Sequence, residues 1–212
     1  MNKPSSSEPP WLLWARELHS LAQSGLTYSE NPYDLERYRD VRRISAEIFA
    51  RQGGVEPERV LALFDGNPGY VTPKVDVRGA VFRDGKILLV RELLDGGRWT
   101  LPGGWADVNE TPSSACCREV FEESGFEVRA TKLMAVLDRS LHGGGTYPFT
   151  IYKMFFLCEI VGGEAAESHE TGGAEFFAED ELPELSTPRT APAQLALAFA
   201  HLRDPARAAD FD

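Results

Sequence analysis

The chain contains 212 residues, of which 42% are hydrophobic and 26% are charged, and its formal net charge is −11 because 33 acidic residues outnumber 22 basic ones. This length and apolar content suffice for one domain with an appendage and a substantial core. The acidic excess argues against binding long nucleic acids through general charge, so a site for phosphates would need a local cation or a metal.

The cysteines and the apolar segments indicate the cellular compartment in which the protein works. Cys116, Cys117 and Cys158 are odd in number and lie in apolar or helical patterns, which does not favour a disulfide framework. No segment reaches the roughly 18 apolar residues of a membrane helix, and residues 1–10 lack the basic and apolar regions of a signal peptide. The sequence therefore predicts a cytoplasmic protein without a membrane partner.

The N-terminal region begins with a polar, proline-rich stretch, residues 1–10, which we expect to be a disordered lead. Apolar residues between Trp11 and Ala22 then recur with the spacing of an amphipathic helix, and Gly25 is predicted to end it.

A second helix is predicted after Asn31, which can cap it, with Pro32 in its first turn and the Gly53-Gly54 pair at its end. We expect residues 11–54 to form a small two-helix unit. Two short helices bury little by themselves, so their apolar stripes need a covering surface on the rest of the chain or on a second subunit. This requirement favours a homodimer.

Residues 55–72 are rich in glycine and proline and are predicted to be a connector. The pattern then changes to strands, since apolar residues alternate over 75–81 and the Asp84-Gly85 turn leads into an apolar run at 86–90. Further strands are predicted at 98–101, 128–138, 149–160 and 175–178, and helices at 112–124 and 191–203. Many strands with few helices indicate an α+β fold with a mixed sheet.

Residues 104–126 carry the clearest pattern of chemical function. At 100° per residue, the helix predicted there places Glu119, Glu122 and Glu123 on one face and apolar residues on the opposite face. One side of this helix therefore presents a surface of carboxylates.

These carboxylates lack the partners of an ordinary solvated helix face. Stabilising pairs need a basic residue three or four positions away, and only Arg118 offers one, toward Glu122. A hard divalent cation would remove the repulsion, because Mg²⁺ and Mn²⁺ prefer carboxylate and carbonyl oxygens. The Gly103-Gly104 turn just upstream can bring a carbonyl close, since it has no side chain in the way.

The spacing of these residues resembles the complete Nudix box. The matching pattern is Gly104, five residues, Glu110, seven residues, Arg118-Glu119, an aliphatic residue, any residue, Glu122-Glu123, any residue, Gly125 and an apolar residue. The resemblance extends over residues 73–205, which we expect to form a Nudix hydrolase domain. The N-terminal extension is similar to that of a bacterial branch that includes ADP-ribose and CDP-choline pyrophosphatases.

This resemblance implies an α/β/α sandwich and Mg²⁺-dependent hydrolysis, with Mn²⁺ able to substitute. Members of the family cleave a nucleoside diphosphate linked to another moiety into two phosphorylated products, with metal ions neutralising the diphosphate charge and activating water. The implied metal ligands and supporting residues are Gly103, Glu110, Glu119, Glu122 and Glu123. Arg118 is implied to orient the carboxylates.

A general base is also required, and members of the family take it from different places. Glu170 is a candidate because it lies in a glycine-rich segment that can close over a substrate. His169 is a weaker candidate than its neighbour. His142 precedes three glycines, and such a loop could contact the variable half of a substrate, although a solvated loop histidine is the commoner case.

Substrate phosphates need local cations, and Arg78, Arg91 and Arg98 lie near strand ends beside the motif. For stacking on a base, Trp105 is the favoured aromatic residue because it directly follows Gly104.

The expected substrate is therefore a small nucleotide, of the ADP-ribose or CDP-alcohol type. The alternatives are a nucleoside triphosphate pyrophosphohydrolase, including one for damaged nucleotides, and a hydrolase of RNA ends. A nucleotide sensor without turnover is a different class, and an eroded box would be expected of it.

Overall fold

The computed structural model describes residues 8–142, 147–166 and 171–212. The described chain divides into two compact units. The smaller, N-terminal unit contains residues 8–73 together with 147–150, and the larger unit contains the rest. Most of the predicted disordered lead, residues 1–7, lies outside the described residues.

The N-terminal unit contains three helices, α1 (Pro10–Tyr28), α2 (Pro32–Gly53) and α3 (Pro57–Asp65). Each begins with a proline, whose missing N–H would be unpaired in the first turn in any case. The Asn31 side chain caps α2 by accepting a hydrogen bond from the Tyr33 amide at 2.9 Å.

The first helix does not end at Gly25, as the sequence predicted, but continues to Tyr28. A Cβ atom at Gly25 would overlap the ring of Tyr38 on α2. This glycine is therefore explained by the close approach of two helices, and a helix tolerates glycine for about 1 kcal/mol when packing requires it.

The prediction of a connector over residues 55–72 was wrong in part, because α3 lies within it. Val60 and Phe64, four residues apart on one face, are buried in this helix. They join Leu12, Ala46 and Phe49 in the apolar core of the unit. Burial of this one face stabilises a nine-residue helix that would be marginal alone.

The larger unit is built on strands and two further helices. The strands are β1 (Lys74–Arg83), β2 (Lys86–Glu92), β3 (Arg98–Thr100), β4 (Phe126–Asp138), β5 (Ile151–Gly163), β6 (Thr171–Phe177) and β7 (Asp210–Phe211). The helices are α4 (Pro112–Ser124) and α5 (Pro192–Arg203). The sequence predicted these elements apart from β7, and it started β5 two residues early and β6 four residues late.

The strands of the larger unit form a mixed sheet, as predicted. The order β3-β2-β1-β5-β4-β7 includes a parallel β1–β5 pair and antiparallel β1–β2 and β4–β5 pairs, while β6 pairs with β2. A tight turn at Asp84-Gly85, both with positive φ, joins β1 to β2.

Alternating side chains fill a core on each face of this sheet. On one face Phe155 and Met134 pack with Leu195 and Phe199 of α5. On the other face the apolar side of α4 packs on the sheet, with Cys116 and Val120 among its buried residues. The result is the expected α/β/α sandwich, and it leaves the opposite side of α4 facing away from the core.

Candidate active site

The carboxylate helix α4 is fixed at both ends. At its start, the Thr111 hydroxyl accepts a hydrogen bond from the Ser114 amide at 3.2 Å, and the Ser114 hydroxyl accepts one from the Thr111 amide at 2.9 Å. At its end Gly125 adopts φ +78°, and the Thr171 hydroxyl of β6 donates to the Glu123 carbonyl at 2.7 Å.

The glycine turn before α4 is fixed to β1. The Val77 amide donates to the Gly104 carbonyl at 2.8 Å, and the Gly79 amide donates to the Pro102 carbonyl at 2.9 Å. Gly103 has φ +142°, a conformation that favours glycine, and a Cβ there would overlap the Val77 carbonyl. The turn and the helix thus face one another across a short gap.

Between them lies a cavity of about 680 Å³. Its described lining residues are Asp76, Arg78, Gly103, Gly104, Trp105, Asp107, Glu119, Glu122, Glu123 and Arg189. A volume of this size fits a small-molecule site of a few hundred cubic ångströms or more.

Glu123 is the most enclosed of the three helix carboxylates, with 8% of its surface exposed. One of its oxygens accepts a hydrogen bond from the Gly103 amide at 2.8 Å. Burial raises the pKa of Glu123 to about 7, although Arg78 and the Gly103 amide act in the opposite direction. At neutral pH, without a cation, this carboxyl is therefore only partly ionised.

Glu119 stands against the second glycine of the turn. A Cβ atom at Gly104 would lie 2.6 Å from its Oε2 atom, so the absence of a side chain there makes room for the carboxylate. Burial raises the pKa of Glu119, and the neighbouring Arg118 opposes the shift.

Arg118 connects the acidic residues. Its Nη1 atom donates to Glu119 at 2.7 Å and to Glu122 at 2.9 Å, and its Nε and Nη2 atoms donate to Glu110 at 2.9–3.2 Å. Hydrogen bonding from Arg118 lowers the pKa of Glu110. Glu110 is not among the described residues that line the cavity, so it contacts the site through Arg118.

The residues that line the cavity suit a hard divalent cation, because several of them offer carboxylate oxygens. The glycine turn also leaves room for the Glu119 carboxylate, since Gly104 has no side chain that would overlap it. Within the described residues, however, no three acidic, histidine or cysteine side chains already form a metal-binding cluster. Arg118 donates hydrogen bonds to Glu119 and Glu122, which are two of the carboxylates that a bound cation would bring closer together.

Of the predicted substrate-binding residues, Arg78 and Trp105 line the cavity. Arg78 is buried, and its Nε and Nη2 atoms donate to the two carboxylate oxygens of Asp76, each at 2.8 Å. It also donates to the Leu101 carbonyl at 3.1 Å, so its donors are largely used within the protein. Burial alone would raise the pKa of Asp76, but Arg78 and Lys153 outweigh it and lower the value.

Three other predicted contacts lie elsewhere among the described residues. Arg91 donates to the Gly97 carbonyl at 3.2 Å, and Arg98 pairs with Asp95 and Glu184. The His142 Nε2 atom lies 2.8 Å from Asp212. None of these three lines the cavity, while the candidate bases Glu170 and His169 lie outside the described residues.

The sequence reasoning missed Asp76, Asp107 and Arg189, all of which line the cavity. Asp76 had a signal, since residues two apart on a strand share a face and Asp76 precedes Arg78 by two. Arg189 lies in an irregular segment before α5, where no periodicity marks a side chain that faces a cavity.

Two family models match the chain. Residues 72–197 match the NUDIX domain, and residues 9–64 match a domain described as "UDP-X-like, N-terminal oligomerisation domain". The first match covers more than half of the chain, so the protein belongs to the Nudix family and is a hydrolase of that family, as the sequence predicted.

The relatives are consistent with a pyrophosphohydrolase. The chain is 42% identical, over 95% of its length and 97% of the other's, to the "Putative ADP-ribose pyrophosphatase YjhB" of Bacillus subtilis (strain 168). A crystal structure of a UDP-X diphosphatase shares 30% identity over 95% of this chain and 98% of that one, with a TM-score of 0.62. An ADP-ribose pyrophosphatase from Streptococcus suis 89-1591 shares 38% identity over 66% of this chain and 100% of that one, with a TM-score of 0.61.

Proposed function

We propose that the chain hydrolyses the diphosphate bond of ADP-ribose in a Mg²⁺-dependent reaction that gives AMP and ribose 5-phosphate. The observation that carries the proposal is the cavity in which Glu119, Glu122 and Glu123 face the Gly103-Gly104 turn. The names of the Bacillus and Streptococcus relatives support ADP-ribose as the substrate.

The cation would be held by Glu119, Glu122 and Glu123, with the Gly103 carbonyl as a further oxygen ligand. Bound Mg²⁺, or Mn²⁺ in its place, supplies Lewis-acid chemistry that neutralises diphosphate charge and makes a water molecule more acidic. Arg118 would release Glu119 and Glu122 when the cation binds and remain paired with Glu110, whose bonds to it are the most numerous.

Other side chains act on the substrate and on the proton. Trp105, of which 43% is exposed in the cavity wall, offers a surface on which an adenine can stack. Glu170 remains our proposed general base, because we assign this role to none of the described residues that line the cavity. The proposal leaves Arg91, Arg98 and His142 as predictions that the cavity lining does not support.

A second candidate substrate class is a UDP-linked compound. It is favoured by the UDP-X diphosphatase structure, which matches the chain along nearly its whole length. CDP-alcohols, nucleoside triphosphates, including damaged ones, and RNA ends are further alternatives, and a sensor that binds without turnover is the alternative outside enzymes.

We also propose that the chain is a homodimer. The match to an oligomerisation domain over residues 9–64 supports an oligomer. Trp14, Leu21 and Tyr28 on α1 supply an apolar stripe, because they are seven residues apart, fall within about 40° on the helix, and are 62%, 60% and 71% exposed. Pairing of this stripe with its copy would bury it.

The cytoplasmic location stays a prediction from the cysteines, which are all free thiols. None of the helices in the described part of the chain is long and apolar enough to cross a membrane.

The experiment is a substrate panel with Mg²⁺ and with Mn²⁺, in which both products are identified by mass. It contains ADP-ribose, CDP-choline, a UDP-sugar, the common nucleoside triphosphates and a short 5′-triphosphorylated RNA. Dominant turnover of ADP-ribose supports the proposal, and dominant turnover of a UDP-sugar selects the second candidate. Binding without turnover of any compound would overturn the enzyme assignment in favour of the sensor.

A further inference from the structure

Arg189 is a cavity-lining residue outside the Nudix box, and the structure holds its backbone in place. It lies in a tight turn before α5, in which the Thr190 amide donates to the Ser186 carbonyl at 2.8 Å. The Ser186 amide donates to the Trp99 carbonyl of β3 at 2.8 Å. Ser186 and Thr190 are both fully buried, so the turn is part of the packed unit.

Three further contacts fix this turn, two at the end of β3 and one from β5. The Thr190 hydroxyl lies 2.8 Å from that of Thr100 and accepts a hydrogen bond from the Leu101 amide at 3.1 Å. The side-chain amine of Lys153, on β5, donates to the carbonyl of Arg189 itself. Lys153 is 2% exposed, so a buried side chain holds the backbone of one cavity residue. The side chain of Arg189 therefore starts from a rigid position.

The guanidinium of Arg189 is oriented by one contact, and some of its N–H donors remain unused by the described residues. Its Nε atom lies 3.2 Å from Glu92, whose side chain is 6% exposed, while the Arg189 side chain is 39% exposed. This contact is an ion pair without an aligned hydrogen bond, and in residues 8–142, 147–166 and 171–212 no other acidic residue pairs with Arg189. Within the described residues no hydrogen bond uses the two terminal nitrogens, so these can donate to a ligand.

The charges of the residues that line the cavity show why the guanidinium of Arg189 matters for binding an anionic ligand. Five described lining residues are carboxylic acids and two are arginines. Of the two arginines, Arg78 donates to Asp76 and to the Leu101 carbonyl, whereas Arg189 keeps its terminal donors available. A diphosphate carries about two negative charges, and a planar guanidinium matches two phosphate oxygens at once.

We infer that Arg189 binds the diphosphate of the substrate, with Glu92 and Lys153 positioning it; this inference rests on the proposed function. The metal would neutralise the diphosphate from the side of α4, and Arg189 would bind it from the side of the turn before α5. Arg189 thus becomes a residue that distinguishes diphosphate-containing compounds from ligands with less charge.

The test compares kcat/KM for ADP-ribose among wild type, Arg189→Gln, Arg189→Lys and Arg129→Gln. We expect Arg189→Gln to lose about 10- to 100-fold, because a charged hydrogen bond of this kind is worth one to two powers of ten. Arg189→Lys should recover part of the loss, since the charge returns without the fork. Arg129→Gln is the matched control, because Arg129 is an exposed arginine of β4 that pairs with Glu159 and does not line the cavity, and it should stay within twofold of wild type.

A structural role for Arg189 makes a different prediction. If it served only to neutralise buried Glu92, the double variant Glu92→Gln/Arg189→Gln would recover wild-type kinetics; if it binds substrate, the double variant keeps the loss. Recovery in the double variant, or wild-type kinetics in Arg189→Gln, would overturn the inference. If Arg189→Gln does not fold, Arg189→Lys decides, and a kcat/KM equal to that of wild type overturns the inference.

Failure of the proposed function would look different. The wild-type protein would then not turn over ADP-ribose, and the same variants would be compared with the diphosphate compound that the panel selects. If the panel selects none, binding of inorganic pyrophosphate with Mg²⁺ is compared by calorimetry, and equal affinities of wild type and Arg189→Gln overturn the inference.

Discussion

The Gly103-Gly104 turn sets the state of two carboxylates in the cavity. The Gly103 amide donates to Glu123 at 2.8 Å, and the missing side chain of Gly104 leaves space for Glu119. The amide favours the ionised form of Glu123, yet burial still raises the pKa of this group to about 7. A cation that binds near neutral pH would therefore displace the proton from the protonated fraction of Glu123.

Mg²⁺ affinity should consequently depend on pH. Because the pKa of Glu123 is raised, its neutral form dominates below about pH 7, and the dissociation constant of Mg²⁺ should rise by up to about tenfold per pH unit there. Isothermal titration calorimetry at pH 6, 7 and 8, in two buffers of different ionisation enthalpy, measures both affinity and proton release. Affinity that is constant over this range, with no proton release, would contradict the account of Glu123.

Gly104→Ala tests the space beside Glu119. The added Cβ would lie 2.6 Å from the Glu119 carboxylate, which is the end of a flexible side chain and can move aside. We therefore expect a folded protein whose kcat falls about tenfold or more, since a proposed metal ligand is displaced. Gly53→Ala is the matched control, because its Cβ would make only an ordinary contact at 3.9 Å. Equal activity of the two variants would contradict this role of Gly104.

At the scale of elements, the sequence predicted most where local chemistry and pattern agree. The bounds of α4 were predicted correctly, because its cap, its initial proline and its final glycine are all encoded locally. The end of α1 was wrong, because Gly25 serves a contact with Tyr38 that is distant in sequence. The glycines and prolines after α3 obscured its short apolar spacing.

The same limit applies to the site. The carboxylate face of α4 followed from helix geometry, whereas Arg189 is brought to the cavity by contacts from β3 and β5. Arg78 lines the cavity as expected, but its pairing with Asp76 depends on both side chains being buried on one face of β1. Burial and long-range pairing of this kind leave little trace in a single sequence.

The apolar stripe on α1 makes the assembly testable. Leu21→Glu would put a charge in the centre of the proposed pairing surface, and we expect it to shift the protein from dimer to monomer while the fold remains. Val161→Glu is the matched control, since Val161 is likewise 60% exposed but lies on β5 of the larger unit. Light scattering coupled to size exclusion measures the mass. Wild-type protein that is monomeric, or Leu21→Glu that remains dimeric, would contradict the proposal.

At the scale of the whole molecule, the two units differ in what stabilises them. In the described residues the larger unit has a core on each face of its sheet, whereas the N-terminal unit has one core, on which a buried histidine stacks. His19 lies face to face with Phe64 at 3.7 Å, and within the described residues neither of its ring nitrogens has a hydrogen-bond partner. It is therefore buried in its neutral form.

Acid should destabilise the N-terminal unit through His19. Burial, helped by Arg42, lowers its pKa from 6.5 to about 4, so the unfolded state binds the proton first as the pH falls. The free energy of unfolding of this unit should then drop by about 3 kcal/mol between pH 6.5 and 4. Hydrogen exchange in α1 and α3 over this range measures it, with His19→Leu as the control. An equal pH dependence in the two proteins would contradict the prediction.

The central claim is that the carboxylates of α4 make this chain a Mg²⁺-dependent diphosphate hydrolase. The most direct measurement is kcat for ADP-ribose with saturating Mg²⁺ in wild type, Glu123→Gln and the control Glu159→Gln, an exposed residue paired with Arg129 on β4. We predict production of AMP and ribose 5-phosphate by wild type and Glu159→Gln, and a loss of at least about a hundredfold in folded Glu123→Gln. Wild-type turnover by Glu123→Gln would contradict the account.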